Sequence, residues 1–454
     1  MRKEKDNTDQ QINKLIEFRQ AIYQNGFTRR RDAQFELLDA LLLKDQIASF
    51  PMLSCSTAFT RRWSSAYAAL EKGQQDTTWM RSYLAKQAPE TGIQFFSLDC
   101  TAWARPEAHT LPDRQYVYQP SRTNQGSVVV IGHAYSLLDW VPEPNSSWSL
   151  SLDVERVSSK QTDLEVGVGQ VKRLCQARGE REHGLDIVSA DAKYGNHHFL
   201  DALKDQPCGK VVRLRKDRVL FRPVQERKVR KRGRPRKHGP RFAFKEPETW
   251  GEPDEFAALQ HPRWGSVEIR RWNDLHAWQS VDTWFDVLQV QTHMEKAEQP
   301  APLWLAWQAP ATMPEGIQVN AETIWQAYQH RWPIEPSIRF RKQRLWWTLP
   351  QFQLVEAADR WSILVSLAMW MLYLARPIVQ DQPLPWQRPQ RDLTPGRVKR
   401  GIGSVFRAIS NPALPPKPRG IPPGWPKGKP RKPRERFPVV RKGLKQPIPA
   451  VSPA

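Results

Sequence analysis

Residues 185–195 read Leu-Asp-Ile-Val-Ser-Ala-Asp191-Ala-Lys-Tyr-Gly195. A short apolar run closes on an aspartate and then breaks, the pattern of a buried strand whose carboxyl end carries an acid. Working upstream, Thr162–Ala177 predicts a helix, with Thr162 and Glu165 at capping-box spacing. Before it, Ile93–Asp99 (IQFFSLD), Val128–Ala134 (VVVIGHA) and Trp148–Val157 (WSLSLDVERV) are β-branched, aromatic and apolar, and predict strands. Downstream, Asn196–Leu203 predicts a helix and Lys210–Leu214 a strand. The order is three strands, helix, strand, helix, strand. It places Asp99 and Asp191 at strand carboxyl ends, where α/β sheets commonly carry their chemistry.

A second stretch supplies a third acid. Tyr328-Gln-His-Arg331-Trp-Pro-Ile-Glu335-Pro-Ser-Ile-Arg-Phe-Arg-Lys342 sets a tyrosine, an arginine, a glutamate and a lysine at offsets 0, 3, 7 and 14. On a helix those offsets share one face. One carboxylate is then flanked by groups that grip phosphate. With nine tyrosines in the chain and each partner at roughly one position in twenty, chance supplies about 0.001 such patterns. Pro333 and Pro336 bracket Glu335, so a break before the glutamate is expected, with the helix restarting at Pro333.

The spacing Tyr-x2-Arg-x3-Glu-x6-Lys resembles the signature of DDE transposases from bacterial insertion sequences, in the branch named for those four residues. Asp99, followed by Thr101, resembles that family's first acidic motif, and Asp191, followed by Tyr194, its second. The strand and helix order is that of ribonuclease H-like domains, the fold the resemblance implies. It also implies a catalytic and metal-binding triad of Asp99, Asp191 and Glu335 holding two Mg²⁺ ions, with Mn²⁺ as a substitute. Hard cations of this kind prefer oxygen ligands, and a pair about 3.5–4 Å apart can serve both ends of an in-line displacement. Tyr328, Arg331 and Lys342 would hold phosphates. The implied reaction is hydrolysis at the element's ends, then attack of the freed 3′-hydroxyl on target DNA, without a protein–DNA covalent intermediate. The partners implied are double-stranded DNA, as element ends and target, and a second copy of the chain on that DNA.

Composition agrees with a polyanionic partner. The 454 residues carry 69 Lys+Arg against 47 Asp+Glu, a formal charge of +22. No secretory signal follows Met1, and the most apolar run, Trp361–Ala375, is short for a bilayer span and reads as a buried helix. Four scattered cysteines suggest neither zinc nor disulfides, and no Gly-rich loop calls for a nucleotide cofactor. Cytoplasm, near the nucleoid, is the expected location.

The expected organisation has five parts. Residues 1–90 are helical and DNA-binding, with helices at Asp32–Leu43 and Ser56–Leu70. Residues 91–221 begin the catalytic domain. Residues 222–315 form a basic arm and β-rich insertion, because Asp191 and Glu335 lie too far apart for a compact core. Residues 316–380 complete the domain, and 381–454 form a Pro/Lys/Arg-rich tail, extended from residue 411. Within the arm, Arg232-Gly-Arg234-Pro235 resembles an AT-hook, an Arg-bearing strip for the minor groove. Trp332, Trp346 and Trp347 can stack on an unpaired base, with core packing the favoured reading for any one of them.

Each acid also has a purely structural reading: Asp99 as a turn residue, Asp191 as a helix N-cap. Two other functions stay open, a non-enzymatic DNA-binding or architectural protein and an inactive transposase derivative.

Overall fold

Thr162 caps the helix it was expected to cap, and that helix packs on the sheet that organises the chain. The computed structural model describes residues 2–119, 129–224, 236–293, 300–417, 428, 430 and 433–442. The N-terminal part carries helices α1 (Arg2–Ala21), α2 (Arg31–Leu43), α3 (Trp63–Glu71) and α4 (Thr77–Ala85), with a short strand pair, β1 (Phe27–Arg29) and β2 (Gln74–Gln75). Helix α3 begins seven residues later than expected. Thr60 is captured instead, its amide and hydroxyl both donating to the Glu36 carboxylate at 3.0 and 2.8 Å. Local side-chain bonding of this kind competes with helix.

Strands β3 (Gly92–Ala104), β4 (Gln115–Tyr118), β5 (Val129–Trp140) and β6 (Leu150–Val157) precede helix α5 (Asp163–Arg178). Then come β7 (Gly184–Ala190), α6 (His197–Leu203) and β8 (Cys208–Leu214). In space the core reads β6, β5, β3, β7, β8, with β3, β7 and β8 parallel and the rest antiparallel. Helices flank this mixed sheet, as in a ribonuclease H-like core. The capping box of α5 is complete: Thr162 accepts from the Glu165 amide, and Glu165 accepts from the Thr162 amide at 2.7 Å.

One placement differs. Asp99 does not end its strand. Strand β3 runs on to Ala104 because β5 continues to pair with it from Phe96 to Ala104. Its parallel partner β7 is matched only as far as Leu98 opposite Ala190. Asp99 is therefore the first β3 residue beyond the parallel pairing, and Asp191 the first residue beyond β7.

The β-rich insertion extends the same sheet. Strands β9 (Val219–Phe221), β10 (Arg241–Ala243), β11 (Glu255–His261), β12 (Gly265–Ala277), β13 (Ser280–His293) and β14 (Leu303–Gln308) join β8 through β14, antiparallel. Ten strands lie in line from β10 to β4 among the described residues. The basic segment expected as loop contributes the β9–β10 pair; Arg232 and Arg234, between these strands, lie outside the described residues.

Helices α7 (Ala321–Gln329), α8 (Ile334–Arg344), α9 (Val355–Ala375) and α10 (Pro395–Ala408) follow. Helix α9 contains the expected apolar run, is buried along most of its length and packs against α1, α2, α3 and β6. No helix among the described residues is long and apolar enough to cross a membrane. Residues 395–408, placed in the tail on composition, instead form α10, which buries Val398, Ile402 and Val405 against α9. Four-residue apolar spacing survives there amid Gly, Lys and Arg.

Candidate active site

The register of β3 and β7 sets Asp99 beside Asp191, because parallel strands lie about 4.8 Å apart and both residues follow the last matched pair. The Asp99 carboxylate accepts from the Cys100 amide at 2.7 Å, and that of Asp191 from the Lys193 amide at 3.0 Å. Asp191 closes a turn and does not cap α6; Asn196 does, accepting from Phe199. Tyr194, fully buried, ties the two acid-bearing segments together by placing its hydroxyl 3.2 Å from Cys100 Sγ. Gly167 of α5 makes room for that ring: a Cβ there would lie 2.8 Å from Tyr194 Cε1 and from Leu98 Cδ2. Gly167→Val is expected to cost about 1–3 kcal/mol by overpacking, read as a lower urea midpoint.

The third acid arrives on a broken helix. Helix α7 ends at Gln329 and α8 starts at Ile334, so the four signature residues do not share one uninterrupted helix. The break keeps the helical sense through successive i→i+3 bonds: Arg331 to Tyr328, Trp332 to Gln329, Ile334 to Arg331 and Glu335 to Trp332. The Glu335 bond supplies the Trp332 carbonyl, which Pro336 cannot reach for want of an N–H. Three contacts seat this region on the sheet. Ser189 Oγ donates to the Ala327 carbonyl at 2.7 Å, and Phe95 stacks on His330 at 3.8 Å. In α8, buried Arg341 donates to Asp139 and to the Ser149 carbonyl, both at 2.6 Å, and to Ser151 Oγ at 2.7 Å.

Asp99, Asp191, Glu335, Tyr328 and Arg331 come together. Burial pushes the Asp99 carboxyl up to about 6, opposed by Arg331 and reinforced by Asp191 and Glu335. Burial disfavours the Arg331 charge, but Asp99, Tyr328, Glu335 and Asp191 together hold it in place. Its guanidinium donates to Glu335 at 2.7 Å. Burial also pushes the Tyr328 phenol up, while Arg331 and Arg213 pull it down.

Lys342 stands apart. Its ammonium donates to the Ala102 carbonyl at 2.7 Å, and burial alone pushes it down to about 8. The unfolded chain then binds more protons than the folded one between that value and the ordinary lysine range near 10.5, so stability should rise with pH across this window. Lys342→Met is expected to flatten that rise in thermal melts.

Do the acids suit a divalent cation? Their chemistry does: all three are carboxylates, Asp191 and Glu335 both act electrostatically on Asp99, and burial destabilises Asp99 as an anion. Their present arrangement is incomplete, since no three His, Cys, Asp or Glu side chains among the described residues converge on an ion-sized point. The Arg331 guanidinium supplies the local positive charge.

Beside Glu335 opens a cleft of about 390 Å³. Tyr328, Arg331, Trp332 and Glu335 form one wall; Arg213, His261, Arg263 and Trp264 belong to β8 and the β11–β12 turn. Arg263 lies 4.9 Å over Trp264 and 5.3 Å over Trp332. His261, Arg263 and Trp264, the three insertion residues here, carry no sequence signal, because sheet pairing alone brings them to the cleft. Of the candidate stacking tryptophans, Trp332 is exposed, whereas Trp346 and Trp347 are core.

The match to the DDE superfamily endonuclease family spans residues 23–275, more than half of the chain, and includes Asp99 and Asp191. The chain belongs to this family. Among solved structures, this DDE superfamily endonuclease is similar to piggyBac transposase in a synaptic complex with hairpin DNA, seen by cryo-EM. The identity is 9%, covering 85% of this chain and 74% of that one, with a TM-score of 0.35, too low to bear on function. No curated protein matches it in sequence.

Proposed function

We propose that this DDE superfamily endonuclease is a DNA transposase of the insertion-sequence type, in the Tyr-Arg-Glu-Lys branch. It would cut at element ends and transfer the freed strand into target DNA as a homodimer. The observation that carries the reading is the register that sets Asp99 beside Asp191, with Glu335 and Arg331 brought to them by the α7–α8 break.

In this reading Asp99, Asp191 and Glu335 would hold Mg²⁺, which would supply charge stabilisation to the reacting phosphate when bound. Arg331 exchanges its carboxylate partners for a DNA phosphate, a trade that a guanidinium fork suits. Tyr328 contributes a phenol hydroxyl beside it. The Trp264–Arg263–Trp332 stack lines a cleft suited to an unpaired nucleotide. Arg232 and Arg234 would add minor-groove contacts from the arm.

Asp191→Ala tests the assignment. Divalent-dependent strand cleavage should disappear while affinity for duplex DNA is retained. Equal cleavage by the variant would remove Asp191 from the site. Binding without cleavage by the parent chain, with either Mg²⁺ or Mn²⁺, would favour the architectural or inactive alternatives.

A further inference from the structure

Part of the proline-rich C-terminal segment is not free. Residues 437–440 lie along residues 109–115, the segment that leads into β4 at the end of the sheet. Val440 and Gln115 form a parallel bridge. The Val440 amide donates to the Arg114 carbonyl at 2.7 Å and the Phe437 amide to the His109 carbonyl at 2.9 Å. Arg114, itself buried, reaches the Phe437 carbonyl at 3.4 Å. Pro438 is tolerated because the docking bonds are donated by the Phe437 and Val440 amides on either side of it.

The docked segment is basic and leads to the start of α5, beside the Asp191 turn. Arg434, Arg436, Arg441 and Lys442 are exposed, with Glu435 the sole acid among residues 433–442. Arg441 lies 5.2 Å over Tyr116, which is itself exposed, as is Tyr118. Lys442 donates to the Gln161 carbonyl at 2.5 Å, just before α5. Its ammonium lies among the charges of Asp163, Asp113 and Lys193. Lys193 pairs with Asp163 and belongs to the Asp191 turn. At about 3.3 Å per residue, the strip from Arg434 to Lys442 covers roughly 26 Å.

We propose that residues 433–442 form a docked wall of the DNA track: a segment held on the approach to β4 whose Arg441 and Lys442 hold backbone phosphates near the Asp191 turn. A polybasic end acting as a loose tether would not place its charges there. The inference rests on the acids being a DNA-cutting centre, since that makes duplex phosphate the expected partner for cations interleaved with exposed tyrosines.

The test uses the full chain and a short random-sequence duplex. Without DNA, the Phe437 and Val440 amides should exchange slowly with deuterium. On the duplex, protection should rise together at 433–442 and in the Asp191 turn. Arg441→Ala combined with Lys442→Ala should lower the slope of log affinity against log salt by about two, roughly 0.9 per lost phosphate contact. Val440→Pro keeps every charge and removes the docking amide. It should preserve that slope and abolish joint protection. Fast exchange in the free chain, or an unchanged slope in the double variant, overturns the proposal; so does protection that follows phosphatidylserine vesicles and not DNA. No readout requires cutting. A chain that fails to cleave would defeat the transposase reading while this result stands or falls separately.

Discussion

Asp99→Asn is expected to lower divalent-dependent cleavage by at least about a thousandfold, near 4 kcal/mol of barrier, with duplex affinity retained. Asparagine keeps the shape and can still accept from the Cys100 amide. It removes only the charge that Arg331 now neutralises and that a cation would require. A second readout separates lost chemistry from lost structure. The Asp99 carboxyl sits near 6 when folded, against an ordinary value of 3.8. The folded chain therefore binds more protons across that interval, and stability falls as pH rises through it. Asparagine escapes that loss. In chelator above pH 6, the variant should melt higher than the parent while cutting far less. A variant that melts lower would point to damaged packing.

Arg341→Ala is expected to be the most destabilising substitution considered, at about 3–5 kcal/mol, because it strands Asp139 uncompensated in the core. The pair is fully buried, with side-chain exposures of 1% and 0%. Asp139 also accepts from Ser149 and Ser151, which hold it in its charged geometry. The loss should appear as a lower urea midpoint with an unchanged slope. Cleavage should fall too, since α8 carries both Arg341 and Glu335. Combining Arg341→Met with Asp139→Leu should recover much of the stability, as apolar replacements of buried pairs often do.

These two residues mark the limits of reading the chain unaided. Asp99 and Asp191 were visible because each follows an apolar β run, a local pattern. That β3 would continue past Asp99 was not, since its extension depends on β5, some forty residues away in sequence. Arg341 carries no local sign of burial, since Arg339, Lys342 and Arg344 around it read as surface cations; only the fold brings Asp139 to it. Lys342 was assigned to phosphate by its place in the motif, yet the structure turns it onto the Ala102 carbonyl. Arg263 and Trp264 sit in a hairpin turn with no motif, and they reach the cleft because β12, β13, β14 and β8 pair in succession. Helix α10 was hidden by composition, though Val398, Ile402 and Val405 keep its period.

Because the insertion prolongs the central sheet, the chain is a single plank of backbone from β10 to β4. Ten aligned strands make it roughly 40 Å across, near the length of one turn of B-form duplex. The β9–β10 pair forms one rim, and the segment carrying Val440 docks at the approach to the other. If the proposed function holds, a duplex laid across this plank would be long enough to meet both rims at once, like a beam on two piers.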